Sequence, residues 1–147
     1  MQTKWNVTSP KVVMISGHFD GFHNDHLKYI EKSKEYGDFF ICVVSSDKQL
    51  LLKKGKVNIH EDDRCKILDI VLSGENMPHI VFVNKWDTDT TFITNAIKAI
   101  KPTILFRGFD KDENMPIEEK IACDEVGTKV MYARDNSDHN SHSSEIF

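Results

Sequence analysis

The sequence predicts an α/β domain built on a doubly wound sheet of five parallel strands. Short apolar runs recur at Val12–Ser16, Phe39–Ser45, Ile80–Val83, Thr103–Phe106 and Lys129–Tyr132. Amphipathic, helix-like stretches lie between them, at about Leu27–Tyr36, Glu61–Leu72, Thr90–Ile100 and Ile117–Val126. Strands separated by helices of that length imply parallel neighbours, because a parallel pair needs a crossover connection. Five strands and four helices in 147 residues suit one Rossmann-like domain over 1–147, with a single core and a polar tail from about 135.

In chain order, Val12-Val13-Met14-Ile15 ends at a glycine-bearing turn, and a helix follows near Leu27. The second run contains Cys42 and ends at a Ser45-Ser46-Asp47 turn with a basic stretch behind it. Glu61-Asp62-Asp63 opens the next helix, where acids complement the positive end of the helix dipole. The Thr90–Ile100 pattern ends at Lys101-Pro102, and the fourth run ends at Arg107-Gly108. The tail DNSDHNSHSS, 135–144, is polar and aperiodic and reads as a loop. In such sheets ligands sit beyond the carboxyl ends of the strands, where the strand order reverses. With the order 3-2-1-4-5, the turn after the first strand and Arg107-Gly108 face one another across that crevice.

Composition narrows the function. A net charge of −4 argues against non-specific nucleic-acid binding. No apolar run approaches the roughly 20 residues of a membrane span. Met1–Trp5 lacks the apolar core of a signal peptide, so a cytoplasmic location is expected. Cys42, Cys65 and Cys123 are odd in number and widely spaced, and read as reduced packing residues.

The densest chemical signal is Gly17-His18-Phe19-Asp20-Gly21-Phe22-His23-Asn24-Asp25-His26. A strand carries this loop to the sheet edge, and the free N–H groups of the helix start favour an anion there. Imidazoles three residues apart can both turn toward that anion. Two other readings of the same residues stand beside this one: a solvated loop with incidental histidines, and a metal site made by His18, Asp20, His23 and His26.

The segment resembles the GxFDxxHxGH signature of cytidylyltransferase-like nucleotidyltransferases, with Gly17, Phe19, Asp20, His23 and His26 at the family positions. The glycine between the histidines is replaced by Asp25, which adds a negative charge where the family brings its backbone close to phosphate. Further likenesses run from Lys11 to the end of the chain. Ser45-Ser46-Asp47, the basic stretch Lys53-Lys54-Gly55-Lys56 and the helix-opening Arg64 resemble the segment after the family's second strand. Cations there would neutralise charge that shifts to the departing pyrophosphate. Lys101-Pro102 to Arg107-Gly108-Phe109-Asp110 resembles the nucleotide- and base-lining element of sugar-phosphate nucleotidyltransferases, most closely the adenylyltransferase part of bifunctional heptose-phosphate enzymes. Lys111 stands where the family has Tyr or Trp. Ser143-Ser144 resembles the family's phosphate-capping Ser-Thr/Ser-x-Ile element, although the sequence leaves room for at most one helical turn behind it. Arg134 falls near an arginine of glycerol-phosphate cytidylyltransferases.

The resemblance implies in-line transfer of AMP, or of CMP, from ATP or CTP to a small phosphorylated acceptor such as a sugar phosphate, with release of pyrophosphate and no covalent enzyme intermediate. Glycerol 3-phosphate is the alternative acceptor, and a nucleotide-binding module with weakened catalysis is the alternative class. The expected catalytic groups are His23, His26, Lys56 and Arg64. Nucleotide and substrate contacts are expected from Gly17, Phe19, Asp20, Lys53, Arg107, Gly108, Arg134, Ser143 and Ser144, with Asp20 chiefly bracing its turn. No protein-held metal is expected; magnesium should arrive on the triphosphate oxygens. A homodimer, with no nucleic-acid or membrane partner, completes the expectation.

Overall fold

The computed structural model describes residues 9–108 and 115–133. The elements follow as β1 (Val12–Gly17), α1 (Asn24–Ser33), β2 (Phe39–Val44), α2 (Asp47–Lys54), α3 (Glu61–Gly74), β3 (His79–Val83), α4 (Thr94–Ile100), β4 (Ile104–Arg107), α5 (Ile117–Val126) and β5 (Lys129–Tyr132). The sheet is all-parallel, in the order β3-β2-β1-β4-β5.

Alternation along the strands builds a core on each face. Val13, Ile15, Phe40, Cys42, Val44 and Phe106 meet Tyr29 and Ile30 of α1 and Leu68 and Leu72 of α3. Met14, Val43 and Leu105 meet Ala96 and Ile97 of α4 and Ala122 and Cys123 of α5. All three cysteines are free thiols. Burial pushes the Cys123 thiol up to about 11 and the Cys42 and Cys65 thiols above their ordinary range, as befits packing groups.

Three elements differ most from the sequence expectation. A fifth helix, α2, stands where a turn and a basic stretch were expected. Its sequence carries no clean apolar stripe: Leu51 and Leu52 are exposed, while Gln49 and Leu50 are buried. The helix is set by its ends. Ser46 caps it by accepting from Gln49 N at 3.0 Å, and Gly55 closes it in the left-handed conformation. Helix α1 starts three residues before Leu27, at Asn24, because His23 supplies its N-cap. Helix α4 starts at Thr94 rather than Thr90, because Gln49 Nε2 donates to Thr90 O and Phe92 O and holds that stretch as a loop.

The sheet also opens where the site lies. β1 and β4 pair at Val13–Ile104 and Met14–Leu105, and no pair follows toward their carboxyl ends. The Tyr29 hydroxyl occupies the gap, donating to Phe106 O at 2.6 Å and accepting from Ser16 N at 3.3 Å. One side chain thereby satisfies backbone groups that the parting strands would leave unpaired.

Candidate active site

A cleft of about 720 Å³ opens at the carboxyl end of the sheet, over the gap between β1 and β4. Its lining includes Gly17, His18, Phe19, Asp20, His23, His26, Lys53, Lys56, Arg107 and Gly108, so one hollow gathers most of the candidates separated in sequence.

The loop after β1 is shaped by close packing. A Cβ on Gly17 would lie 2.9 Å from the Phe19 ring, so only glycine fits beneath it. Phe19 is buried and takes φ +52°, a conformation that costs a non-glycine residue energy. Asp20 ties the loop to the segment before α3, accepting from Asn58 N at 3.0 Å and Ile59 N at 2.6 Å. The brace expected of Asp20 thus reaches the segment before α3, well beyond its own turn.

His23 is exposed at the N-cap of α1, and its ring stacks on that of His26 with centroids 3.9 Å apart. His26 is buried, with Phe19 and Phe22 rings at 5.2 and 5.5 Å. His26 Nδ1 accepts from His23 N at 3.3 Å. A neutral ring that accepts at Nδ1 carries its proton on Nε2, so His26 is set as a donor. Asp25, half-buried in the first turn, is absent from the cleft lining, and its charge complements the helix start.

Part of the lining is basic. Lys53, Lys54 and Lys56 line the cleft, are exposed, and have no carboxylate ion-pair partner among the described residues. Leu50, Phe92, Ile93, Phe106 and Pro116 add an apolar part to the lining, and Arg107 and Glu119 belong to it too. Arg107 Nη1 donates to Glu119 Oε1 at 3.2 Å, and Glu119 Oε2 accepts from Ile93 N at 3.0 Å. Burial pushes the Glu119 carboxyl above its ordinary range, outweighing the pull of the Ile93 N–H and of Arg107.

Arg64, expected among the catalytic groups, is placed outside the cleft lining, where its hydrogen bonds make it a brace. Its side chain is fully buried. Nε donates to Ile59 O at 2.7 Å, Nη1 to His18 O at 2.9 Å and Ser45 O at 2.7 Å, and Nη2 to Asp47 Oδ1 at 2.7 Å. One guanidinium ties together the loops after β1 and β2, the start of α2 and the approach to α3. Asp47 and Glu61 complete the joint, each accepting from the other's backbone N–H, at 2.9 and 2.7 Å. Burial raises the Asp47 carboxyl, but hydrogen bonds from Arg64 and His60 and the Arg64 charge hold it below the ordinary range.

Tyr29, Gln49 and Glu119 were not singled out from the sequence. The signal for Gln49 is local, since Ser46-Asp47-Lys48-Gln49 is a capping-box pattern. Tyr29 and Glu119 carry none, because their partners are distant in the chain. No three His, Cys, Asp or Glu side chains among the described residues converge as metal ligands, His18, Asp20, His23 and His26 included. Arg134, Ser143 and Ser144 lie outside the described residues. No helix among the described residues is long and apolar enough to cross a membrane.

Known proteins resemble the chain in sequence and in fold. The chain is 35% identical over 103 residues to the bifunctional protein HldE of Campylobacter concisus, covering 68% of this chain and 20% of that protein. It is 28% identical over 133 residues to the bifunctional protein HldE of Desulfatibacillum aliphaticivorans, covering 89% of this chain and 25% of that protein. The chain thus spans a quarter or less of these relatives. Among solved structures, the lipopolysaccharide core biosynthesis protein of Thermoplasma volcanium GSS1 shares the fold, with a TM-score of 0.63 at 21% identity, over 84% of this chain and 94% of that one. The cytidylyltransferase-like family model matches residues 14–146, and the chain belongs to that family of nucleotidyltransferases.

Proposed function

We propose that the protein transfers a nucleotidyl group, AMP in the first instance and CMP as the alternative, from a nucleoside triphosphate to a small phosphorylated acceptor of the sugar-phosphate kind. An acceptor phosphate oxygen attacks the α-phosphorus, the bond from that phosphorus to the bridging oxygen breaks, and pyrophosphate leaves with the electron pair. The acceptor phosphate is already ionised near neutral pH, so no general base is required. Catalysis then rests on positioning and charge stabilisation.

The observation that carries this reading is that one cleft gathers His23 and His26 with lysines that have no carboxylate ion-pair partner among the described residues. The histidines donate to the α/β phosphates as charge builds, and Lys53 and Lys56 hold the triphosphate and the departing pyrophosphate. Arg107 and the buried Gly108 frame the base beside the apolar part of the lining. Gly17, Phe19 and Asp20 hold the loop beneath the nucleotide, and Arg64 acts through the loops that it ties. The adenylyl preference is supported by the likeness to the HldE proteins.

The cleft carboxylates do not fit a protein-held magnesium ion. Both oxygens of Asp20 accept backbone N–H groups, and those of Glu119 accept from Arg107 and Ile93. Any magnesium is therefore expected as part of the triphosphate. Arg134, Ser143 and Ser144 as substrate contacts, a homodimer and a cytoplasmic location remain part of the proposal.

The test is pyrophosphate release from ATP, CTP, GTP and UTP with a panel of sugar phosphates and glycerol 3-phosphate. Release with at least one pair is expected, and His26→Gln should lower its kcat by about 10²–10³, the usual cost of one lost transition-state donor. Nucleotide binding without release from any pair would make the protein a binding module.

A further inference from the structure

The lining of the cleft is assembled from separate segments of the chain. Leu50, Lys53 and Lys54 belong to α2, whereas Phe92 and Ile93 stand just before α4. Lys48 and Gln49 of α2 both reach the 89–92 stretch. Lys48 Nζ lies 2.7 Å from Asp89 Oδ1, but their side chains are 62% and 84% exposed, so solvent leaves that pair little strength. Gln49 is buried and uses both ends of its amide. Its Oε1 accepts from Ser46 N at 3.3 Å, and its Nε2 donates to Thr90 O at 2.9 Å and to Phe92 O at 3.0 Å. Two carbonyls at the nitrogen and an N–H at the oxygen fix which way the amide points. To either side of these carbonyls the chain has other ties: Asp87 accepts from Asn95 N and Ala96 N, and Ile93 N donates to Glu119.

We propose that Gln49 is a positioning residue for nucleotide binding. It holds Phe92 and Ile93 at a fixed distance from the lysines of α2, so that one ligand can engage both at once. A nucleoside triphosphate is such a ligand, with charge for the lysines and a nucleoside for the apolar side chains. Inorganic tripolyphosphate has the charge alone and needs only the lysines. Without the Gln49 donors, the 90–92 carbonyls lose their tie to α2, and part of the molecules have Phe92 and Ile93 out of place. Apparent affinity for a ligand that needs both groups then falls with the fraction left competent. The proposal rests on the cleft being a nucleoside triphosphate site.

The test is calorimetric titration of the whole chain with ATP and with inorganic tripolyphosphate. In Gln49→Met, ATP should bind roughly tenfold more weakly, the loss expected if about a tenth of the molecules stay competent. Tripolyphosphate should bind as it does to wild type. Methionine is chosen over glutamate because a carboxylate four residues before Lys53 would compensate that lysine. With pyrophosphate release as the readout, KM for the nucleotide should rise while kcat stays near wild type, since saturating nucleotide selects the competent molecules. Ser46→Ala removes the hydroxyl that accepts from Gln49 N but keeps both Nε2 donors, so it should lower stability and leave the ratio of the two affinities unchanged. Should Gln49→Met fail to fold, Gln49→Asn keeps the amide one methylene short of its acceptors and should shift the ratio in the same direction. Equal losses for the two ligands, or no loss for ATP, in a folded Gln49 variant would overturn the proposal. So would a Ser46→Ala protein with the same selective loss, because the cap rather than the tie would then be responsible. A Lys53→Ala/Lys56→Ala variant is the separate control: if it binds tripolyphosphate as wild type does, the reading of the cleft itself fails.

Discussion

Arg64 and Arg107 are both arginines beside a nucleotide-sized cleft, each paired with a carboxylate, and the sequence suggests a ligand contact for both. The structure gives them opposite work. Arg64 spends Nε, Nη1 and Nη2 on three backbone carbonyls and Asp47, and joins four segments. Arg107 lines the cleft and shares Glu119 with a backbone N–H. Their partners differ in the same sense: Asp47 is held below the ordinary carboxylate range, while burial pushes Glu119 above it. A residue type beside a motif therefore announces a site without saying which groups face the ligand. That depends on how many acceptors the folded chain brings to the side chain.

The strongest way to break the comparison is Arg64→Ala. It leaves three carbonyls and Asp47 without their donor, and should cost about 3–5 kcal/mol in denaturant unfolding, as breaking a buried pair does. Arg64→Lys should recover little of this, since an ammonium cannot reproduce the fork. A variant with wild-type stability that has lost triphosphate use would return Arg64 to direct contact.

Arg107→Gln should cost less, about 1–2 kcal/mol. Glu119 is already pushed up and can take a proton rather than stay an unpaired buried anion. Discrimination among triphosphate bases should weaken as well, measured as a converging ratio of kcat/KM between ATP and CTP. A stability loss as large as that of Arg64→Ala, with base discrimination intact, would erase the distinction between the two arginines.

The pH dependence of stability sharpens the contrast, because the two carboxylates contribute slopes of opposite sign. Asp47 is depressed in the folded state, so its contribution is present above about 3.9, the ordinary Asp value, and is lost as pH falls through the lower folded value. Glu119 is raised, so the folded state binds its proton first. Stability then grows as pH falls from above the raised value toward about 4.3, the ordinary Glu value. Unfolding midpoints measured across this range should lose the acid-side fall in Asp47→Asn and the opposing rise in Glu119→Gln. If both variants retain the wild-type profile, these pairs do not control it.

The smallest effect is expected at Asp25. Since it does not line the cleft, Asp25→Gly should leave triphosphate affinity nearly unchanged. It should cost about 0.5–1 kcal/mol through lost dipole complementarity and added backbone freedom. A clear rise in triphosphate affinity would show that its charge does reach the phosphates.

Strand periodicity, the helix crossovers and the Gly17–His26 signature were legible because each is local: apolar spacing sets an element, and fixed residue types set a turn. Helix α2 was not, since Leu51 and Leu52 point no stripe at the core and only its capping box gives it away. Arg64 was legible as a marked residue but not as a brace, because three of its four acceptors, on His18, Ser45 and Asp47, lie 17 to 46 residues away. Glu119 was invisible for the same reason, standing 12 residues after Arg107 and 26 after Ile93.

By itself, the sequence determined a parallel α/β sheet and a glycine–histidine loop at the end of its first strand. Those features follow from chirality, side-chain period and turn geometry within a few residues. The tertiary structure alone decided that β1 and β4 part after Met14 and Leu105, that Tyr29 fills the opening, and that one arginine is sealed inside while the other faces the cleft. Such outcomes depend on which donors and acceptors meet across the folded chain, and on how much water is left around them.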